Sequence, residues 1–216
     1  MKVGFIDPFL VSPAIHCFNE FVELIEVPVL YFMPSKNGVE SLHLLRDQCD
    51  AYIIVGSASH VTEPLDWHRP LAEFLIGELK KQRPVLGCCF GHQLLCHAFG
   101  SEVDYFATAD DKAVGVREIK ITKTWEPFKE GEAFTFPVSH KQVVKKLGPQ
   151  LKAIGHGFLN DIVVHETYPM LTTQAHPEAS SYFARGDADI LTQEALNLGR
   201  KDGKEFIQRF FKSYLS

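Results

Sequence analysis

Residues 1–100 alternate short apolar runs with longer amphipathic ones, and this alternation limits the fold more than any other feature. Lys2 to Ile6, Val27 to Met33, Ala51 to Gly56 and Pro84 to Cys89 are apolar runs of strand length. The third, AYIIVG, is apolar almost throughout, as expected of a strand covered on both faces. Between them lie an amphipathic segment from Ser12 to Glu26 and a short helical one from Glu40 to Arg46. In a longer segment Pro64, Leu65, Trp67, Leu71, Phe74, Leu75 and Leu79 recur at three- and four-residue spacing. Gly91 to Phe99 reads as helix, with Gly100 as its C-cap. The first hundred residues therefore read βαβαβαβα.

Beyond Ser101 the pattern changes to closely spaced strands: Val114 to Thr122, Ala133 to Val138, Leu151 to Gly155, Ile162 to Glu166 and Leu171 to Ala175. The gaps have no room for crossover helices, so these strands should be largely antiparallel or hairpin-linked. A helical stretch from about Ala188 to Tyr214 follows. It carries Ile190, Leu191, Ala195, Leu196, Phe206, Ile207, Phe210 and Phe211, and Gly199 and Gly203 are expected to split it in two. With no internal repeat and no long linker, residues 1–216 read as one domain.

A chain of 216 residues can bury a full core without disulfides or structural metal. Hydrophobic residues make up 45% and charged residues 23%, which excludes disordered and low-complexity classes. Lys plus Arg number 22 against 27 Asp plus Glu, and no basic block occurs, so phosphate-driven nucleic-acid binding is disfavoured. Five cysteines without paired C-x2-C spacing fit neither a zinc site nor an all-paired secreted scaffold, and they point to a reducing compartment. Asp7, Pro8 and Pro13 interrupt the first apolar stretch, and no later one reaches 18 uncharged residues. Neither a signal peptide nor a membrane span is expected, and the expected location is cytoplasmic.

The densest cluster of reactive residues is PVLGCCFGHQLLCHAFG, residues 84–100. A strand ends at Gly87-Cys88-Cys89, Phe90 intervenes, and Gly91 starts a helix. A side chain at such a corner projects past the strand's carboxyl end toward the helix's unsatisfied N–H groups, which favour a thiolate. Gly87 and Gly91 permit the tight backbone approach, while Cys88 should point the opposite way, into the sheet packing. The local pattern leaves two readings open: a catalytic thiol at Cys89, or two buried small hydrophobes.

A nucleophilic thiol needs a base and a group to orient it. Of ten histidines, only His176 lies at the end of an apolar strand with a carboxylate two residues on, in TTQAHPEAS (172–180). Glu178 could take the second imidazole N–H, with Pro177 fixing the backbone between them; a solvated surface turn is the other reading. Trp67 reads as a helix-start aromatic packed on its neighbour, with a place over the rim of the active-site face as the other reading. Cys96 and His97 read as core or helix-face residues, and His92 as a packing residue or one that supports the site from behind.

The GCCFGHQ run followed by the distal HPE resembles the class I glutamine amidotransferases. That resemblance implies Cys89 as nucleophile, His176 as base and Glu178 as orienting acid. It also implies the α/β fold of those enzymes: a flavodoxin-like three-layer domain with a central mostly parallel sheet, helices on both faces and a small additional antiparallel sheet. The loop GSASHV after the third strand matches their oxyanion loop, so backbone N–H groups at Gly56 or Ser57 and at Phe90 are the implied donors. Gln93 and the Ser139-His140 pair match positions that contact the glutamine substrate, an ordinary strand-end turn being the alternative for the pair.

The GSAS loop, the AVGVREIKIT strand (113–122) and SHKQVV are most similar to the amidotransferase domain of GMP synthase and its stand-alone relatives. No glycine-rich S-G-G-x-D-S loop of an ATP-pyrophosphatase occurs in the sequence. The resemblance thus implies glutamine hydrolysis with ammonia passed to a separate ATP-dependent synthase subunit, and no cofactor or metal. Two alternatives remain: a self-sufficient γ-glutamyl peptidase or hydrolase, and a non-catalytic binding subunit on the same scaffold.

Overall fold

The expected alternation appears as β1 (Val3–Ile6), α1 (Ile15–Ile25), β2 (Val29–Phe32), α2 (Pro34–Asn37), α3 (Glu40–Leu45), β3 (Ala51–Ile54), α4 (His68–Lys80), β4 (Val85–Cys88) and α5 (Phe90–Ala98). The structure is a computed structural model, and it describes residues 2–63, 65–180 and 193–215. The chain continues through β5 (Glu102–Tyr105), β6 (Ala113–Ile121), β7 (Ala133–His140), β8 (Gln142–Lys146), β9 (Leu151–His156), β10 (Ile162–His165), β11 (Met170–Thr173) and a C-terminal helix α6 (Gln193–Leu215). Pro64 and the stretch 188–192, with Ile190 and Leu191, lie outside the described residues.

Nine strands form one sheet in the order β2-β1-β3-β4-β11-β10-β9-β6-β7. The half from β2 to β11 is parallel, and the half from β11 to β7 is antiparallel. The closely spaced strands thus extend the central sheet, and β11 alone among them pairs parallel to β4. A separate two-stranded antiparallel sheet is built from β5 and β8, neither of which stands out as an apolar run.

Strand alternation feeds two cores. Phe5, Ala51, Ile53, Leu86 and Cys88 pack with Cys17 and Phe21 of α1 and with Phe206, Ile207, Phe210 and Phe211 of α6. Ile6, Tyr52, Ile54 and Val85 face the other way, onto Leu42 of α3, Leu71, Leu75 and Leu79 of α4, and Leu94 and Leu95 of α5. Each Val, Leu, Ile or Phe side chain among them, fully buried, contributes roughly 1.5–3 kcal/mol.

The C-terminal helix departs from expectation, running unbroken through Gly199 and Gly203. Both glycines are contact points. A Cβ on Gly203 would lie 2.2 Å from the carbonyl oxygen of Pro177, and one on Gly199 would lie 2.9 Å from Cδ of Pro137. Close packing against these two prolines compensates for the poor helix propensity of glycine. It also presses the helix onto the His176-Pro177-Glu178 turn.

Candidate active site

Cys89 occupies the corner between β4 and α5 with φ 50° and ψ −102°, a left-handed conformation unusual for a residue with a β-carbon. Such backbone costs on the order of 1–3 kcal/mol and persists only where its surroundings fix it. Here the Cys89 N–H donates to the Thr173 carbonyl at 2.8 Å, and the Cys89 carbonyl accepts from Gln93 N–H at 3.0 Å. The glycines on either side permit the turn: a Cβ on Gly87 would lie 2.8 Å from the Gly91 carbonyl, and one on Gly91 would lie 2.4 Å from that of Ile54. Cys89 thus caps the amino end of α5, whose partial positive charge favours an anion there.

Cys88 points the other way and is fully buried. Burial, reinforced by the negative charge of Glu178, pushes its thiol well above the ordinary cysteine range. Burial likewise pushes Cys17 up, Cys49 to about 11 and Cys96 to about 12. These four are held as thiols.

His176 follows β11, with its N–H donating to the Pro137 carbonyl at 2.9 Å. Its Nδ1 lies 2.9 Å from Oε1 of Glu178, and both side chains are buried. Burial alone would lower the imidazole pKa. The negative charges of Cys89 and Glu178 outweigh it and raise the value from 6.5 to about 10. Gly56 lies against both partners, since a Cβ built on it would be 2.5 Å from Cε1 of His176 and 3.6 Å from Cβ of Cys89.

Cys89, His176, Glu178, Gly56, Ser57, Gln93, Ser139 and His140 all line one cavity of about 540 Å³. Phe90 does not line it with its side chain. Its ring centroid lies 5.4 Å from that of Trp67 and 5.3 Å from that of His68 on the far side of the corner, so only its backbone N–H is in question as a donor. Ser57 holds the neighbouring loops together: its hydroxyl donates to the Pro8 carbonyl at 2.5 Å and accepts from Ser59 N–H at 3.1 Å.

Gln93 spends its amide NH2 on the Gln142 carbonyl at 2.8 Å and on Oε1 of Gln174 at 3.3 Å. The carbonyl of Ser139 lies 3.7 Å from Sγ of Cys89. The His140 ring is engaged on both sides, with Nδ1 donating to the Gln142 carbonyl at 3.1 Å and Nε2 lying 3.4 Å from the Arg117 guanidinium. Burial, then the positive charges of Arg117 and His176, lower its pKa from 6.5 to about 4, so it is neutral near pH 7.

Three lining residues or neighbours escape the sequence reading. Gln174 approaches Cys89, with Nε2 3.8 Å from Sγ. Gln142 lines the cavity and donates to the Thr62 hydroxyl at 2.7 Å. Asp7 lines the same cavity and accepts from Ala14 N–H at 2.6 Å and from the Tyr31 hydroxyl. Gln174 has a signal in retrospect: it shares the two-residue alternation of Thr172 and His176, which places it on the face that looks toward α5.

Residues 18–197 match the family model for glutamine amidotransferase class-I. The chain belongs to the class I glutamine amidotransferase family. Among curated relatives, the glutamine-hydrolyzing GMP synthase subunit of Methanopyrus kandleri is 27% identical over 82% of this chain and 89% of its own length. The subunit of the same name from Methanocaldococcus jannaschii is 30% identical over 47% of this chain, and the chain spans only about half (54%) of that relative. A glutamine amidotransferase structure from Thermotoga maritima superposes with a TM-score of 0.78 at 14% identity, covering 100% of this chain and 99% of that one. The fold is therefore that of the family, as the arrangement of strands and helices leads one to expect.

Among the described residues, no group of three or more His, Cys, Asp or Glu side chains is placed to hold a metal ion. Nor is any described helix long and apolar enough to cross a membrane.

Proposed function

We propose that this chain hydrolyses the side-chain amide of glutamine through a γ-glutamyl thioester on Cys89 and releases ammonia to an acceptor held by a separate ATP-dependent synthase subunit. Residues 1–216 act as one amidotransferase domain, and the free state of all five cysteines fits a reducing cytoplasm. The observation that carries the reading is the meeting of the left-handed Cys89 corner with the buried His176–Glu178 pair in one cavity. Membership of the family, and the likeness to subunits named for glutamine hydrolysis, support the choice of substrate.

In this scheme His176 takes the Cys89 proton and the sulfur attacks the γ-carbonyl carbon. Backbone N–H groups at Phe90 and at Gly56 or Ser57 receive the developing oxyanion. One such donor is worth roughly 3 kcal/mol, or a factor of 10² to 10³ in rate. The tetrahedral intermediate collapses as His176 protonates the departing ammonia, leaving the thioester. His176 then takes a proton from water, the hydroxide attacks the thioester carbon, and glutamate leaves as the thiolate is restored. Glu178 holds the imidazole tautomer and balances its charge throughout. Substrate contacts in this scheme are made by Gln93 through its side-chain oxygen, since its NH2 is already engaged, and by the Ser139-His140 strand end.

One observation favours a second reading. The cavity of about 540 Å³ is also lined by Phe9, Leu10, Val11 and Ser12, more room than ammonia as a leaving group requires. A γ-glutamyl peptide would use that space for its second residue. Measuring kcat/KM for glutamine and for a panel of γ-glutamyl dipeptides with the purified chain separates the two. Glutamine turnover stimulated by an ATP-dependent synthase supports the amidotransferase reading, and rapid dipeptide cleavage with negligible glutamine turnover replaces it.

A further inference from the structure

We propose that Gln174 acts on the nucleophile itself, donating a hydrogen bond from its side-chain amide that holds the Cys89 sulfur as a thiolate, with its direction enforced through Gln93. The proposal rests on Cys89 being the nucleophile. Its basis is a chain of three contacts whose polarity is set at one end by a backbone carbonyl.

A carbonyl oxygen only accepts, so the group that Gln93 turns to the Gln142 carbonyl at 2.8 Å must be its NH2. The second hydrogen of that NH2 points to Gln174, whose side chain must therefore present its oxygen, at 3.3 Å. That fixes the opposite end of the Gln174 amide: its NH2 faces Sγ of Cys89 at 3.8 Å. Gln174 is 2% exposed, and its backbone N–H is tied to the Asp161 carbonyl at 2.8 Å, so the side chain is held in place.

An amide NH2 offers the sulfur hydrogens and no lone pair. It interacts strongly with S⁻ and weakly with S–H, since hydrogen bonds to a charged acceptor are about twice as strong as neutral ones. The Ser139 carbonyl, 3.7 Å from the same sulfur, has the opposite preference because it can accept only from S–H. The sulfur thus sits between one group that favours the thiol and one that favours the thiolate, with His176 receiving the proton. The same contact strengthens again when the thioester breaks and the sulfur leaves with the bonding electron pair. Gln174 would therefore assist both the formation of the nucleophile and its departure.

The test is the pH dependence of alkylation by iodoacetamide of the full chain, with the adduct mapped by peptide mass, for the wild type, Gln174→Met and Gln174→Glu. Methionine fills the space without a donor, and glutamate keeps the shape while presenting oxygen to the sulfur. The expected result is that Gln174→Met moves the midpoint of the Cys89 reaction up by about one pH unit, a tenfold loss of thiolate at pH values below it. Gln174→Glu should move it further in the same direction, and kcat for glutamine should fall about tenfold with KM little changed. A folded Gln174→Met with the wild-type profile overturns the proposal, even if its melting temperature drops, because a purely structural residue would do just that. If Gln174→Met does not fold, an unchanged midpoint in Gln174→Glu overturns it equally. An unchanged profile while Cys89→Ala abolishes glutamine hydrolysis sinks this inference alone, whereas a wild-type adduct at another cysteine sinks the functional reading with it.

Discussion

Nδ1 of His176 lies 2.9 Å from Oε1 of Glu178 in a pair shut away from solvent, across the two-residue turn that Pro177 holds. Burial by itself would make this imidazole a weaker base. The nearby negative charges reverse that and raise its pKa from 6.5 to about 10. A raised folded-state value means that the charged imidazole stabilises the fold fully below pH 6.5, and that this contribution is lost as the pH rises toward 10.

Glu178→Gln removes one of the two charges. The expected outcome is a smaller fall in stability between pH 6.5 and about 10, together with an alkaline limb of the kcat/KM profile displaced to lower pH. Denaturant melts and initial rates across that range check both. A variant whose two profiles superpose on those of the wild type would show that Glu178 does not act on the imidazole.

Gly56→Ala tests how closely the GSAS loop is fitted to the base. Its new methyl group would lie 2.5 Å from Cε1 of His176, so the ring must move. Relieving that contact moves the ring by about 1 Å, and a misplacement of about 1 Å at a catalytic group costs on the order of a hundredfold in rate. The variant should remain folded by circular dichroism while its kcat for glutamine falls by about that factor. Retention of more than half the wild-type kcat would show that the ring has room to spare.

Two helix glycines should respond in opposite directions. Gly203→Ala drives a methyl group into the Pro177 carbonyl, a backbone atom that cannot step aside, and should destabilise the chain by about 1–3 kcal/mol while also lowering activity through the displaced turn. Gly77→Ala, within α4, meets nothing within 4 Å and should stabilise by about 0.5–1 kcal/mol with activity unchanged. Urea unfolding of the two variants beside the wild type measures both signs.

The parallel half of the fold is legible in the sequence because AYIIVG and its neighbours are apolar over their whole length, which only a strand covered on both faces requires. β5 and β8 are not, because EVDY and QVVKK bury only part of their residues and pair only with each other. Sequence spacing also cannot say that the hairpin-linked strands will continue the central sheet, since their partners are chosen by tertiary packing. Gly199 and Gly203 carry the usual sign of a helix break, yet their missing side chains are what admits Pro137 and Pro177. At the candidate site, Cys89, His176 and Glu178 are visible because corner, strand end and turn each leave a local pattern. Gln174 leaves only a polar residue just past the end of β11, and its partners lie 81 and 85 residues away in the chain.

The central claim is that the thiol at the left-handed corner, and not its neighbour one residue earlier, attacks the γ-glutamyl carbonyl. Labelling the whole chain with a glutamine-mimicking electrophile and mapping the modified peptide by mass tests it most directly. The account predicts one adduct per chain, on Cys89, whose formation is slowed by glutamine and abolished in Cys89→Ala but not in Cys88→Ala. An adduct on Cys88, or labelling indifferent to the loss of Cys89, would contradict it.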